Sequence, residues 1–363
     1  MASTSDAGDE EDRRTRLCEE FAGLTTTDNI VAQCYLAEND WDMERALNRF
    51  FDADMEKVFE ESLSHQEPPT KNQKVEEAKA PAAVSIDLMA DSLGSSPQPP
   101  KDIDSGSRLT LISWNVDGLD TENLAERARG LCSYLVLYTP DVVFLQELIP
   151  PYVQYLKKRA VSYLIIEAGG EGGYFTGMML KKTSVKLLES QIVPYPTTRM
   201  GRNLLMAQVT LRGAKVWLMT SHLESCKEHS GERMKQLREV TRQMLKAPDD
   251  VNVLFAGDTN LRDAEVVKVG LPTDVCDVWE RLGRQEHCRY TWDTHANSNK
   301  SLPYTSRCRF DRVLLRPAAH SRVIRLDPHR MVLVGLEKLS CGRFISDHWG
   351  IYCSLSTTVN HTS

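Results

Sequence analysis

The chain is most constrained by a set of short, unbroken apolar runs that each stop in a burst of polarity. The stretch VNVLFAGDTNLRD, residues 251–263, is one of them. A continuous apolar run fits a strand buried on both faces, since a half-solvated strand alternates apolar with polar. Gly257 is expected to turn the backbone there. Asp258, Asn260 and Arg262 then bring acceptors, donors and positive charge to the rim of a sheet, where α/β proteins hold ligands. Taken alone, a G-D-x-N sequence is also a good Asx turn.

It does not stand alone. Asn115 and Asp117 follow LISW, Gln146 and Glu147 follow VVFL, and His222 and Glu224 follow WLMTS; Asp311 follows CRF, and Asp347 and His348 precede WGIYCSL. Between these runs lie amphipathic helical patterns, clearest in NLAERARGLCSYLVLY and GERMKQLREVTRQMLK. Strands alternating with helices after residue 108 give an α/β layered core.

The 363 residues suffice for a domain of roughly 250 residues with a smaller module in front. Charge divides the same way. Residues 1–107 hold 10 Lys/Arg against 24 Asp/Glu, leaving 34 against 27 for the rest, so a chain of net charge −7 carries a positive larger half suited to a polyanion. Nine cysteines without C-x-x-C spacing argue against a disulfide framework or a zinc finger. No apolar run approaches the ~18 residues of a membrane span, so no membrane partner is expected.

The expected organisation is a disordered acidic leader at 1–16, a three-helix module at 17–52, a Pro-, Ser- and charge-rich disordered linker at 53–107, the α/β domain at 108–356 and a tail at 357–363. In the module, Thr27 or Asp28 would cap a helix bearing Ile30, Val31, Cys34 and Tyr35; Asp40 would cap the next, with Trp41, Ala46, Leu47 and Phe50 as its apolar set. So small a unit has little core, and binding a partner is its expected business.

At the strand ends, a carboxylate such as Glu147 suits a hard divalent cation, and carboxylates, amides and histidines converging on one place suit phosphate-ester hydrolysis. The ordered blocks SWNVDG, LQE, TSHLES, GDTN, RFDR and SDHWG resemble the exonuclease/endonuclease/phosphatase superfamily. SWNVDGLD with LAERARG, GYFTGMML, GDTNLRD, YTWDT with NSN, and CGRFISDHWG are similar to its tyrosyl-DNA phosphodiesterase family, which also carries an N-terminal ubiquitin-associated module like CYLAENDWDMERALNRFF.

That resemblance implies a four-layer α/β sandwich, two packed mixed β-sheets flanked by helices, behind a small UBA-like module. It implies a Mg²⁺-dependent phosphodiesterase, with Mn²⁺ able to substitute, that hydrolyses 5′-phosphotyrosyl-DNA bonds to leave a 5′ phosphate. Glu147 would ligate the metal with Asn115 nearby and Asp117 contributing. Asp258 would polarise the attacking water, Asn260 would donate to phosphoryl oxygens, and His348, fixed by Asp311 or Asp347, and His222 would face the phosphate. Tyr174, Arg262, Trp292, Arg233, Ser221, Asp347 and Phe310 would contact substrate or DNA, with Gln236 beside Arg233 steering the 5′ phosphate. Partners implied are single-stranded or overhanging DNA 5′ ends, topoisomerase II remnants and ubiquitin at residues 17–52, in the nucleus and also the cytoplasm. Cys308, before RFDR, departs from the aliphatic residue expected in the substrate wall. An abasic-site endonuclease, a phosphoinositide phosphatase and a ubiquitin-binding scaffold with an inactive hydrolase domain are the rival functions.

Overall fold

The computed structural model describes residues 5–25, 29–38, 41–43, 45–47, 108–169, 173–319 and 323–359. They fall into two units, Met1–Lys101 and Asp102–Ser363. The expected linker and C-terminal tail lie largely or wholly outside the described residues, as do Thr27, Asp28, Asp40 and the side chains of Ile30, Val31, Cys34, Tyr35 and Phe50.

In the N-terminal unit, α1 (Ser5–Thr25) and α2 (Asn29–Glu38) are followed by a short helical segment. Because α1 begins at Ser5, most of the stretch expected to be a disordered leader is helical instead. Cys18 and Phe21 on α1 close over Ala32 and Leu36 on α2 and Ala46 beyond it, at the i,i+3 and i,i+4 spacing that puts side chains on one helix face. The third segment is capped by Asp42; Asp40, the cap the sequence suggested, lies outside the described residues. The Asp42 carboxylate accepts from the Arg45 amide at 2.9 Å and its carbonyl from the Ala46 amide at 3.0 Å.

The larger unit runs β1 (Arg108–Asn115), α3 (Leu124–Tyr138), β2 (Val142–Leu148), α4 (Pro150–Arg159), β3 (Tyr163–Glu167), β4 (Phe175–Lys181), β5 (Val185–Pro194), β6 (Asn203–Leu211), β7 (Ala214–Ser221), α5 (Ser230–Leu245), β8 (Asn252–Asp258), α6 (Asp263–Val269), β9 (Cys276–Asp277), α7 (Val278–Arg281), β10 (Trp292–Asp293), β11 (Arg307–Cys308), β12 (Asp311–Arg316), β13 (Ile324–Val334) and β14 (Gly350–Val359). One six-stranded sheet has the order β13-β14-β1-β2-β4-β3 and the other β5-β6-β7-β8-β12-β9. Each is antiparallel except at its centre, where β1 lies parallel to β2 and β7 to β8.

The two sheets pack face to face over a core that includes Leu111, Phe144, Met178, Leu218, Leu254, Ala256 and Ile351. Behind the second sheet, Val253 and Phe255 meet Leu237, Val240 and Met244 of α5. Strand β8 therefore buries alternate residues in two different cores, which is why its sequence shows no polar alternation. Truncating Phe255 to Ala would cost about 3–5 kcal/mol through the cavity it leaves.

Gly257 does not turn the backbone. It lies within β8, opposite Arg312 of β12, and a Cβ there would sit 2.1 Å from the Ser221 carbonyl oxygen. Glycine is required by the close approach of β7, which brings the ends of β7 and β8 together.

Candidate active site

The parallel pairs set the site. They align the C-terminal ends of β1 with β2 and of β7 with β8, while antiparallel β12 starts opposite the end of β8, with Asp311 paired to Asp258. His348 enters just before β14, and its carbonyl accepts from Trp114 Nε1 at 2.9 Å. Just beyond β1 and β8, and at the register shift near the end of β2, the backbone is forced into an unusual conformation. Asp117, Glu147 and Asn260 all hold positive φ, at 48°, 58° and 52°, in a region costly for side-chain-bearing residues and concentrated at functional sites.

Asn115 organises the centre. Its side-chain amide donates to Glu147 Oε1 at 3.1 Å and to Asp258 Oδ2 at 3.0 Å, while its Oδ1 accepts from the Asp117 amide at 3.0 Å. Asp258 Oδ1 accepts from the Asn260 amide at 3.0 Å, so the Asx turn legible in G-D-T-N does form and is what aims the carboxylate. The Asn260 side-chain amide reaches the Leu223 carbonyl at 3.3 Å, leaving one N–H for another acceptor.

Two histidines flank Asp258 in opposite charge states. His348 Nδ1 lies 2.8 Å from Asp311 Oδ2 and its Nε2 3.7 Å from Asp258 Oδ2. Burial disfavours its charge, but Asp311 and Asp258 prevail and hold its pKa well above the ordinary value, so it is a buried imidazolium. His222 Nε2 lies 3.3 Å from Asp258 Oδ2, and its Nδ1 lies 3.9 Å from Glu147 Oε1 without a hydrogen bond. Burial, then the charges of Arg202 and His348, hold its pKa well below the ordinary value, so it is neutral.

The carboxylates crowd one another. Burial chiefly, offset in part by His348, pushes Asp258 up to about 6. Burial and the neighbouring Asp117 push Glu147 up to about 7, and burial with Asp347 takes Asp117 to about 6 despite Lys300. Such a desolvated surplus of negative charge, built of oxygen donors and one-fifth exposed at the Glu147 side chain, fits a hard divalent cation. Asp258, Asp311 and His348 also place donor atoms within 4.8 Å of one another, but the His348–Asp311 pair occupies one ring nitrogen of that group.

On one flank, the Arg202 guanidinium stacks 4.8 Å from the Tyr174 ring, which faces His222 at 6.2 Å, in an open cleft that also takes in Phe175, Met200 and Asn203. On the other, Trp292 packs on Phe310 with ring centroids 5.6 Å apart, and exposed Arg262 lies 6.0 Å from the Phe310 ring. Trp292 Nε1 donates to Asp347 Oδ2 at 3.3 Å, so Asp347 holds the tryptophan and Asp311 alone fixes His348.

Three expected substrate contacts point inward instead. Arg233 is 1% exposed, with its guanidinium in two hydrogen bonds to Glu265 and another to the Cys226 carbonyl. Ser221 is fully buried, donating to the Asn203 carbonyl at 2.7 Å and accepting from the Tyr195 hydroxyl at 3.2 Å. Gln236 is likewise buried, bonding the Glu224 amide and carboxylate. These groups brace the wall behind the site.

The sequence reading passed over several such braces. Ser346 donates to the Asn115 carbonyl at 2.6 Å and accepts from the His348 amide at 3.1 Å. The Thr291 hydroxyl accepts from the Asp311 amide at 3.0 Å. Fully buried Arg127 donates to the carbonyls of Val116, Asp117, Asp120 and Ile345, and Lys300 pairs with Asp117. For Arg127 and Lys300 a charged residue inside a helical or loop pattern was the only signal; Ser346 and Thr291 gave none.

Residues 112–348 match the model of the endonuclease/exonuclease/phosphatase family, and residues 15–57 that of a UBA-like domain. The chain belongs to that family. Tyrosyl-DNA phosphodiesterase 2 of Danio rerio is 59% identical over 365 residues, covering 95% of this chain and 98% of the relative; the Homo sapiens protein of that name is 51% identical over 346 residues, covering 94% and 92%. A crystal structure of D. rerio TDP2 complexed with single-strand DNA product superimposes with a TM-score of 0.67 at 68% identity, covering 69% of this chain and 99% of that one. Within the family, the chain falls in the tyrosyl-DNA phosphodiesterase 2 branch. Enzymes of the family use divalent metal ions, and the donor set here fits one.

Proposed function

We propose that the chain is a Mg²⁺-dependent phosphodiesterase that cleaves the ester between a tyrosine phenol and the 5′ phosphate of DNA, leaving a 5′ phosphate. The observation that carries the reading is Asp258. It is aimed by Asn115 and Asn260, flanked by a cationic and a neutral histidine, and lies one amide away from Glu147.

Asp258, with its pKa raised to about 6, is a base that can take a proton from water near neutral pH. The His348 imidazolium and the free Asn260 N–H offer positive charge and a donor to the phosphoryl oxygens as the transition state gathers charge. His222, whose Nε2 lies 3.3 Å from Asp258 Oδ2 and whose pKa is held well below the ordinary value, does not compete for that proton. A Mg²⁺ ion held by Glu147 would neutralise the phosphate and the departing oxygen. The leaving phenol, with a pKa of about 10, departs more readily than a DNA alkoxide and asks less of a general acid. Trp292 and Phe310 offer the aromatic surface that single-strand binders use for bases, and Arg262 can lie over the tyrosyl ring.

The D. rerio relative crystallised with single-strand DNA product supports DNA as the partner. Trapped topoisomerase II remnants would carry the tyrosyl adduct, and work on them would be nuclear, with a cytoplasmic share open to the same enzyme. The UBA-like match supports ubiquitin as the ligand of the N-terminal unit, and an NMR titration of the full chain with ubiquitin checks it. The deciding experiment is cleavage of a 5′-phosphotyrosyl oligonucleotide with and without Mg²⁺, beside 3′-tyrosyl, abasic and phosphoinositide substrates. Fast, Mg²⁺-dependent release from the 5′ substrate alone is expected; preference for any other would overturn the substrate assignment.

A further inference from the structure

The turn that leaves β7 carries chemistry of a different kind from the carboxylate-rich centre. Residues 226–229 read CKEH, and Lys227–His229 make a single 3-10 turn ahead of α5. Cys226, Glu228 and His229 each place a donor atom within 4.8 Å of the other two. Sulfur, oxygen and nitrogen meet there, whereas Glu147, Asp117 and Asp258 offer carboxylate oxygen alone.

The three donors are uncommitted. Among the described residues, neither the Cys226 thiol nor the Glu228 carboxylate has a hydrogen-bond or ion-pair partner. His229 uses only Nδ1, which lies 3.1 Å from the Ser225 carbonyl. A carbonyl can only accept, so Nδ1 carries the proton and Nε2 keeps its lone pair, as second-shell bonds arrange in metal-binding histidines. Cys226 is also the exposed one among the described cysteines, the others being buried or half-buried.

The backbone under the thiol is held in place. Cys226 has a φ of 68°, and its carbonyl accepts from Arg233, which Glu265 anchors through hydrogen bonds of 3.0 and 2.6 Å. Ligands mounted on a fixed backbone have less freedom to lose on binding. Tetrahedral zinc holds its ligands at about 2.0–2.3 Å, hence roughly 3.5 Å from one another, so rotations of about an ångström at these surface side chains close the group.

We infer that Cys226, Glu228 and His229 form an accessory site for a thiophilic divalent cation of the zinc class, separate from the hard-metal centre at Glu147. The thiol gives its proton to solvent on binding, and water fills the fourth position. Mg²⁺ prefers oxygen donors and keeps its waters, so the two sites sort their ions by the softness of their ligands. The Ser225 hydroxyl donates to Met200 Sδ at 3.2 Å, and Met200 lines the cleft that holds Tyr174 and His222. An ion on the turn therefore adds positive charge beside that cleft.

The test is Co²⁺ binding to the full chain in saturating Mg²⁺, which keeps the Glu147 centre occupied, read by the sulfur-to-cobalt charge-transfer band. The parent should develop the band, and Zn²⁺ should erase it by displacing the cobalt. Cys226→Ser should remove it. His229→Gln and Glu228→Gln should each weaken binding at least roughly tenfold, no less than loss of a second-shell partner does. Glu147→Gln should leave the affinity within about twofold, as expected of independent sites. The ligands are exposed or half-buried, and circular dichroism checks that each variant keeps the fold. No band in the parent, a band that survives Cys226→Ser, or unchanged affinity in His229→Gln or Glu228→Gln would overturn the inference. Loss of the band in Glu147→Gln would overturn it as well, by making the two sites one.

Discussion

Two acidic clusters flank the turn after β8, one taking Asp258 from its end and the other Asp263 from the start of α6, and they are managed in opposite ways. In one, Asp263 and Asp277 face Arg309 and Arg312. Asp277 Oδ2 accepts from Arg309 at 2.6 Å and Arg312 at 3.3 Å, and Asp263 Oδ1 accepts from them at 2.8 and 2.7 Å. Burial alone would raise the pKa of Asp263, but the arginines hold it below the usual carboxylate range. In the other, Asp258, Glu147 and Asp117 share a few hydrogen bonds and too little positive charge, and all three are pushed up. The first cluster carries its own counterions and fastens α6 and β9 to β12. The second is left short of them, which makes it reactive and costs stability.

The largest effect should come from the second cluster. Asp258→Asn should lower turnover on a 5′-phosphotyrosyl oligonucleotide by about 10³-fold or more while circular dichroism stays unchanged; retained turnover would remove the residue from the chemistry. Arg312→Met, in the first cluster, should instead destabilise by roughly 3–5 kcal/mol in denaturant, because two carboxylates lose a buried partner. Activity lost without a stability change would break the contrast.

The pH dependences should run in opposite senses too. If Asp258 is the base proposed above, turnover needs its anion, and activity should fall as pH drops through about 6. Stability has the other sign. A carboxyl raised from 3.8 to about 6 on folding contributes stability that is fully present below about 3.8 and lost as pH rises through 6. Asp258→Asn should therefore raise the melting temperature of chelator-treated protein at pH 7.5 by roughly 3 °C, shrinking toward zero at low pH. A constant difference across pH would contradict this. Smallest of all, Trp292→Ala should raise KM for a single-stranded substrate about threefold with kcat nearly kept; an equal fall in kcat would move the tryptophan from strand binding toward positioning Asp347.

Much of this was legible in the sequence. Continuous apolar runs identified β8 and β2 as doubly buried, and polar residues at their ends named Asn115, Glu147, Asp258 and His348 before any coordinates. What stayed hidden depends on partners far along the chain. Arg233 reads as a surface helix residue until Glu265, 32 positions on, folds against it. Gly257 reads as a turn because the Ser221 carbonyl that excludes a side chain belongs to another strand. Lys300 reads as a loop charge, since nothing local shows that its loop is pinned beside Asp117.

The order of strands has a consequence for how the protein is made. The chain builds β1 through β4, leaves to complete the whole second sheet from β5 to β12, and only then returns with β13 and β14 to finish the first. Trp114 waits 234 residues for the carbonyl of His348 that its indole binds. Contacts so distant are slow to close. During synthesis, Asp258 emerges well before His348, so the cluster around Asp258 stays incomplete until the segment that leads into the last strand has docked.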